Sequence, residues 1–222
     1  MDQAIGAVLA FAVGVAISPV PIIAVILMLF SQRARVNGPM FLAGWVIGLS
    51  VAAAVVYALA SAGDIASSDS ASTGVSWLRV GAGVALLVLA ARKWRSRPGP
   101  DDEPDMPRWM SGVDHIAPVR AFGLAVVLSA VNPKNLALIF GASTRVSQVA
   151  PSTTDAIVAL AVFVLIGSST VGAAVLYDLF GGERAQSSLD RAKAWLTLHN
   201  TAVMAVLFVV FGAVLISEGL TS

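Results

Sequence analysis

The chain has 222 residues, of which 57% are hydrophobic and only 12% are charged, and its formal net charge is +1. A soluble domain carries roughly 25% charged residues, so this composition excludes a soluble globular protein and predicts an integral membrane protein. The absence of cysteine excludes disulfides, thiolate metal sites and thiol–disulfide relay chemistry. The basic residues lie in loops rather than on one helix face, so no nucleic-acid partner is expected.

Six apolar stretches approach the length of about 20 residues that a transmembrane helix needs, which predicts an all-α fold. The first stretch lacks the basic start of a cleaved signal peptide and is therefore interpreted as a span. In chain order the six are Ala4–Phe30, Met40–Ala62, Val75–Ala91, Ala121–Ser143, Ala156–Phe180 and Thr201–Ile216. Spans one and four are interrupted by the motifs SPVP (18–21) and NPKN (132–135).

These spans divide the chain into two halves. Residues 1–94 form a first three-helix repeat, residues 95–118 a polar loop rich in proline and charge, and residues 119–222 a second three-helix repeat. Within the second repeat, the segment 184–199 is too polar to span, yet its apolar residues fall at helical spacing. It is predicted to lie as a helix on the cytoplasmic membrane interface, with an ordinary connecting loop as the alternative.

The basic residues predict an orientation in the cell (inner) membrane. If six spans alternate, eleven Lys and Arg residues lie in the loops after spans one, three and five, whereas the opposite side carries only Arg79 and Arg145. Cytoplasmic loops carry the excess of basic residues. The three basic loops, including 95–118, are therefore predicted to be cytoplasmic and both termini extracytoplasmic.

The two halves resemble each other in sequence order. The aligned pairs are Pro19 with Pro133, Gly48 with Gly167, Ser50 with Ser169, and Gly83 with Gly212. Because three spans per repeat is an odd number, the second copy would insert upside down. Such 3+3 inverted repeats are the plan of many secondary transporters, whose sites lie at the repeat interface, where helices are discontinuous.

Proline explains why the two motifs predict helix breaks. Pro19, Pro21 and Pro133 each lack an amide donor and clash with the preceding turn, so nearby carbonyls lose their helical partners. In hydrocarbon such breaks persist only where they face protein or a wet cavity. Two breaks at matching positions therefore predict one shared polar cavity, with two kinks that merely shape helix packing as the alternative.

Lys134 is the charged residue inside span four. It lies 14 residues after Arg120 and 11 before Arg145, about 16 to 21 Å along a helix, which is farther than a lysine can snorkel. No carboxylate lies at the same depth, so three outcomes are open: carbonyls freed at the breaks hold the ammonium, the amine is neutral, or it meets an anionic substrate group. The predicted substrate-binding residues are Lys134, Asn132, Asn135, Ser18, Ser50 and Ser169.

Other motifs bear on enzymatic activity and packing. The chain contains no GxxxxGK[ST], HExxH or GxSxG motif, so neither enzymatic activity nor a cofactor is expected. The small-xxx-small spacing of Gly44 and Gly48 allows close helix packing, either within the chain or against a second copy in a homodimer.

The break motifs and the last span also carry a family resemblance. SPVPIIAVILML, NPKNLALIFGAS and WLTLHNTAVMAVLFVVFGAVLISEGL resemble the GAP/Sap-like family, the glycopeptidolipid- and sulfolipid-addressing proteins of actinobacteria, grouped in the lysine exporter (LysE) superfamily. The resemblance covers essentially the whole chain. It implies a six-span inner-membrane protein that moves surface glycolipids outward, with a central pathway lined by Ser18, Pro19, Pro21, Asn132, Pro133, Lys134 and Asn135.

Three functions follow from these observations. The first is export of a lipid or glycolipid with a polar or anionic head group, and the second is export of a small amino-acid-like solute. The third is a non-transporting accessory subunit of a larger lipid-export pump. An amino acid carrier must also bind an ammonium group, which calls for buried carboxylates or a cation–π face. Neither is evident in the sequence, which favours the lipid substrate.

Overall fold

The computed structural model of the chain describes residues 1–62, 69–95 and 116–221, and the ordered elements in these ranges are all α-helices. The predicted loop 95–118 falls almost entirely outside the described residues. The helices are α1 (Asp2–Ala16), α2 (Pro19–Leu29), α3 (Ala34–Ser61), α4 (Asp69–Arg95), α5 (Pro118–Ala130), α6 (Pro133–Val149), α7 (Thr153–Gly167) and α8 (Ser169–Thr221).

Both predicted helix breaks are present. The axis bends by 54° between α1 and α2 and by 59° between α5 and α6. Pro19 and Pro133 occupy the first position of α2 and α6, where proline is tolerated because that amide has no helical partner anyway. The prolines therefore end one helix and begin the next at a new angle.

A third break, between α7 and α8, was not predicted. The axis bends there by 52°, although the sequence around Ser168 contains no proline. The aligned helix of the first half, α3, runs through the matching Gly48–Ser50 positions without interruption. The two halves therefore differ in this element.

A further interruption lies inside α8, at Gly182. Its φ of 55° and ψ of −146° fall in a region that only glycine adopts readily. The following arm, Arg184–Ser217, is one helix of 34 residues, about 51 Å long. The segment 184–199 is helical, as predicted, rather than a loop, and it continues into the last span without interruption. Its position at the membrane interface stays a prediction.

Outward-facing residues identify the surface that meets lipid. On α3, Ile47, Val51, Val55 and Leu59 follow one another at four-residue spacing and are about half exposed, while Phe41, Trp45 and Leu49 on the opposite side are fully buried. A helix that is apolar all round is typical of a membrane span. The protein is therefore a helical membrane protein.

Fewer than six membrane spans are identified when the described helices are judged by length and apolar composition. Among the described helices, α3 and the Arg184–Ser217 arm are long enough to cross a membrane, and the count reaches five if each bent pair is one span. The predicted third span, α4, is outside this set. Six spans arranged as a 3+3 inverted repeat therefore remain a proposal.

Small residues let particular helices approach closely. A Cβ at Gly44 or Gly48 would meet the backbone of Phe122 or Val126 on α5, so the small-xxx-small spacing serves packing within this chain. At Gly167 of α7 the nearest side chain is that of Val15 on α1. Between α4 and α8, a Cβ on Gly83 would meet the carbonyl of Gly212, and a Cβ on Gly212 that of Gly83.

Candidate substrate site at the helix breaks

The first break leaves two backbone carbonyls without helical partners. In a continuous helix the Ser18 amide would bond the Gly14 carbonyl, but it donates to Val15 O at 3.2 Å instead. The carbonyl of Ala16, the last residue of α1, likewise accepts from a side chain rather than from an amide of the next turn. The first break therefore presents Gly14 O and Ala16 O to the neighbouring helices.

Lys134 donates a hydrogen bond to the first of these carbonyls, Gly14 O. It lies in the first turn of α6, its side chain is only 1% exposed, and its Nζ donates to Gly14 O at 2.6 Å. This contact is the one predicted for carbonyls freed at a break, with the amine of Lys134 as the donor. Because a carbonyl is neutral, this bond satisfies one donor of the amine without compensating its charge.

At the second break, backbone groups form hydrogen bonds with side chains of nearby residues. Asn132 caps α6, and its Oδ1 accepts from the Lys134 amide at 3.0 Å. Asn135, which is fully buried, donates from Nδ2 to Leu128 O at 3.1 Å. The consecutive residues Lys134 and Asn135 therefore serve opposite breaks, one reaching α1 and the other returning to α5.

The third break is joined to the first. Thr170 Oγ1, in the first turn of α8, donates to Ala16 O at 2.6 Å. Trp45 Nε1, on α3, donates to Gly167 O at the end of α7 at 3.3 Å. All three breaks are thus linked by bonds from side chains to carbonyls.

Each break also carries a buried polar atom without a protein partner. These atoms are Ser18 Oγ, Asn135 Oδ1 and Ser168 Oγ. A buried hydroxyl or amide oxygen that makes no hydrogen bond is destabilising. Their positions at the three breaks indicate that this region retains unused hydrogen-bonding capacity.

The structure brings together four of the six predicted substrate-binding residues at the first two breaks: Ser18, Asn132, Lys134 and Asn135. The other two lie on the outside. Ser50 is exposed in a groove between α3 and α7, and Ser169 is exposed and donates to Ile166 O within its own chain segment. Ser50 lies within the unbroken helix α3, and Ser169 lies at the third break but on its exposed side.

Sequence reasoning did not single out Thr170, Trp45 or Ser168. The alignment pointed to Ser169, the residue directly after Ser168. Neighbouring residues on a helix are about 100° apart around its axis, and here Ser168 is buried whereas Ser169 is exposed. Trp45 carried a signal, because a tryptophan in the middle of a span must find an acceptor for its indole N–H.

Apolar grooves run beside two of the breaks. One groove of about 300 Å³ is lined by Ile17 of the first break together with Trp195, His199, Val203, Val206 and Leu207 of α8. Another, of about 390 Å³, is lined by Pro133 of the second break together with Ala82, Leu86, Leu136 and Phe140. Both grooves offer surfaces suited to hydrocarbon chains.

Comparison with protein families supplies the identification. The family model "Sap, sulfolipid-1-addressing protein" matches residues 8–221 of the chain. The chain belongs to this family. The resemblance inferred from the break motifs is thereby confirmed. Neither the curated proteins nor the solved structures contain a match to the chain.

Proposed function

We propose that this Sap-family protein is an inner-membrane carrier that exports a lipid or glycolipid with an anionic head group through the site at the helix breaks. The single observation that carries the proposal is the buried Lys134 amine, which has the neutral Gly14 carbonyl as its acceptor. A charged side chain inside a membrane protein normally marks a functional site. An anionic group that displaced Gly14 O would supply the missing countercharge.

The family description supports the same substrate class. It names a sulfolipid, and a sulfate or sulfonate head group is an anion that an ammonium group can bind. The apolar grooves beside Ile17 and Pro133 allow acyl chains to remain in the bilayer while the head group reaches the interior. Apolar grooves next to the breaks suit a lipid substrate, whereas a small amino-acid-like solute has no use for them.

Helix contacts support the 3+3 inverted repeat as the framework of this carrier. The aligned glycines Gly83 and Gly212 face each other's carbonyls, as expected for positions near a two-fold axis. Gly48 lies against Ser129 and Gly167 against Val15, and Ser129 and Val15 are themselves matched, each lying four residues before the proline of its break. Contacts of this kind in both halves support the repeat, whereas the cytoplasmic basic loops and the outside termini are proposed from the distribution of basic residues alone.

The test compares surface-exposed and intracellular lipids in a strain lacking the protein and in strains complemented with variants. We expect deletion to retain the exported lipid inside the cell. Lys134→Ala should fail to restore export and Asn132→Ala should restore it only partly. Lys93→Ala, which changes an exposed lysine at the end of α4, is the matched control and should restore export fully.

A stability measurement separates a binding role of Lys134 from a purely structural one. Lys134→Met removes a buried charge worth about 2.5–3.5 kcal/mol on insertion scales and leaves one carbonyl unsatisfied at about 1–3 kcal/mol. We therefore expect no loss of thermal stability in detergent while export is lost. Loss of stability with export intact would favour the accessory-subunit alternative, for which the complete burial of Lys134 is the supporting observation.

A further inference from the structure

The third break contacts the first break beside the residue that holds Lys134. Thr170 donates to Ala16 O at 2.6 Å, and Ala16 lies two residues from Gly14, whose carbonyl accepts from Lys134. Both carbonyls belong to the last turn of α1. That turn is therefore attached at two points, one from each of the other two breaks.

The attachment through Thr170 provides the partner of the last carbonyl of α1, Ala16 O. The last carbonyls of a helix have no partners within it and make the terminal turn prone to fray. In hydrocarbon no water can replace a lost donor. If Thr170 released Ala16 O, the end of α1 would be free to reorganise, and the Gly14 carbonyl would no longer be held in place for Lys134.

We propose that Thr170 is a positioning residue for the Lys134 site: its hydroxyl fixes the last turn of α1 and so couples the third break to the carbonyl that holds the amine. The proposal rests on the proposed function in taking the Lys134 site to be the substrate site. Trp45 extends the coupling, because it donates to Gly167 O on the other side of the same break.

Two substitutions isolate the hydroxyl from the shape of the side chain. Thr170→Val keeps the branched shape and removes the donor, whereas Thr170→Ser keeps the donor and removes a methyl group. If the hydroxyl positions α1, valine should disturb the first break and serine should not. A role confined to packing would give the opposite order.

A cysteine reporter measures the effect without any transport assay. The chain has no native cysteine, and Ser18 is 1% exposed at the first break, so Ser18→Cys provides a single buried thiol there. We expect Thr170→Val to increase its rate of reaction with a small maleimide in membrane vesicles by about tenfold, since a buried carbonyl losing its partner is destabilised by an amount that corresponds to such a factor. Thr170→Ser should leave the rate within about threefold.

A second reporter identifies general unfolding. Ala90, on α4, is 3% exposed, and the reactivity of Ala90→Cys should be the same whether or not the chain also carries Thr170→Val. An equal increase at both reporters, no increase at Ser18→Cys, or an equal increase for Thr170→Ser would each overturn the positioning role. Because these rates do not depend on export, an unchanged lipid profile in the Lys134→Ala strain would count against the proposed function alone.

Discussion

The two proline breaks occupy matching positions, but the side chains that bond their backbone groups come from different parts of the chain. At the first break, Gly14 O accepts from Lys134, which lies 120 residues away along the chain, and Ala16 O from Thr170, 154 residues away. At the second break, Leu128 O accepts from Asn135, only seven residues away, and the α6 cap comes from Asn132. The first break is held together by the second half of the protein, whereas the second is self-contained.

The aligned residues show where this difference originates. Gly14 and Leu128 each lie five residues before the proline of their break, and both carbonyls accept a side-chain donor. Both donors belong to the second half, because the positions aligned with Lys134 and Asn135 are Val20 and Pro21, which have nothing to donate. In the bond that joins the two breaks, the first break therefore provides the acceptor, Gly14 O, and the second provides the donor, Lys134.

The largest effect that would test this comparison is expected at Gly14. A Cβ there would overlap the Phe211 ring of α8, so Gly14→Ala should push α1 away from its neighbours and destabilise the protein by about 1–3 kcal/mol. Unfolding in detergent followed by circular dichroism measures the change. Phe211→Leu should recover part of the loss in the double variant, because the two substitutions act on one contact.

Gly6→Ala is the matched control for that prediction. Gly6 lies on the same helix with open space around it, and alanine is the better helix former, so stability should be unchanged or slightly higher. A comparable loss from both substitutions would mean that α1 tolerates no added methyl group and that the Phe211 contact is not the cause.

A smaller and more local effect is expected at Asn135. Asn135→Leu removes the donor to Leu128 O and should destabilise the protein by about 1–2 kcal/mol, since a buried acceptor loses its partner. Hydrogen exchange resolved by mass spectrometry should show faster exchange around residues 128–135 and unchanged exchange around residues 14–20. Faster exchange at both breaks would contradict the self-contained character of the second one.

The smallest effects compare the two cap positions. Asn132 accepts the Lys134 amide, so Asn132→Ala should lower stability by about 1 kcal/mol. Ser18 occupies the matching position, but its hydroxyl has no partner, so Ser18→Ala should leave stability unchanged. Thermal unfolding of the two variants side by side is sufficient, and equal losses would show that the caps are equivalent after all.

The sequence predicted the breaks at SPVP and NPKN because proline has one dominant local effect, the loss of an amide donor. The same reasoning could not find the break at Ser168, where the bend is stabilised by Thr170 and Trp45 from elsewhere in the fold. It also separated residues 184–199 from the last span on polarity alone. A change in polarity along a helix does not interrupt its backbone. The interruption in α8 lies instead at Gly182, whose backbone angles are not helical.

For the site, the sequence predicted an interior position for Lys134 from the length of its side chain and the distance to the nearest loops. Its acceptor was not predictable residue by residue, because the identity of Gly14 O depends on how α1 and α6 pack. Ser50 and Ser169 were chosen from aligned positions, and alignment carries no information about which side of a helix faces outward.

The large separation of Lys134 and Gly14 along the chain also has a consequence during biosynthesis. Ribosomes add about 5–20 residues per second, so the 120 residues that separate donor and acceptor take about 6 to 24 seconds to make. During that interval the first span is already complete, while the side chain that will bind its broken end has not been synthesised. The nascent N-terminal span therefore spends that interval without the side chain that pairs with Gly14 O in the finished protein.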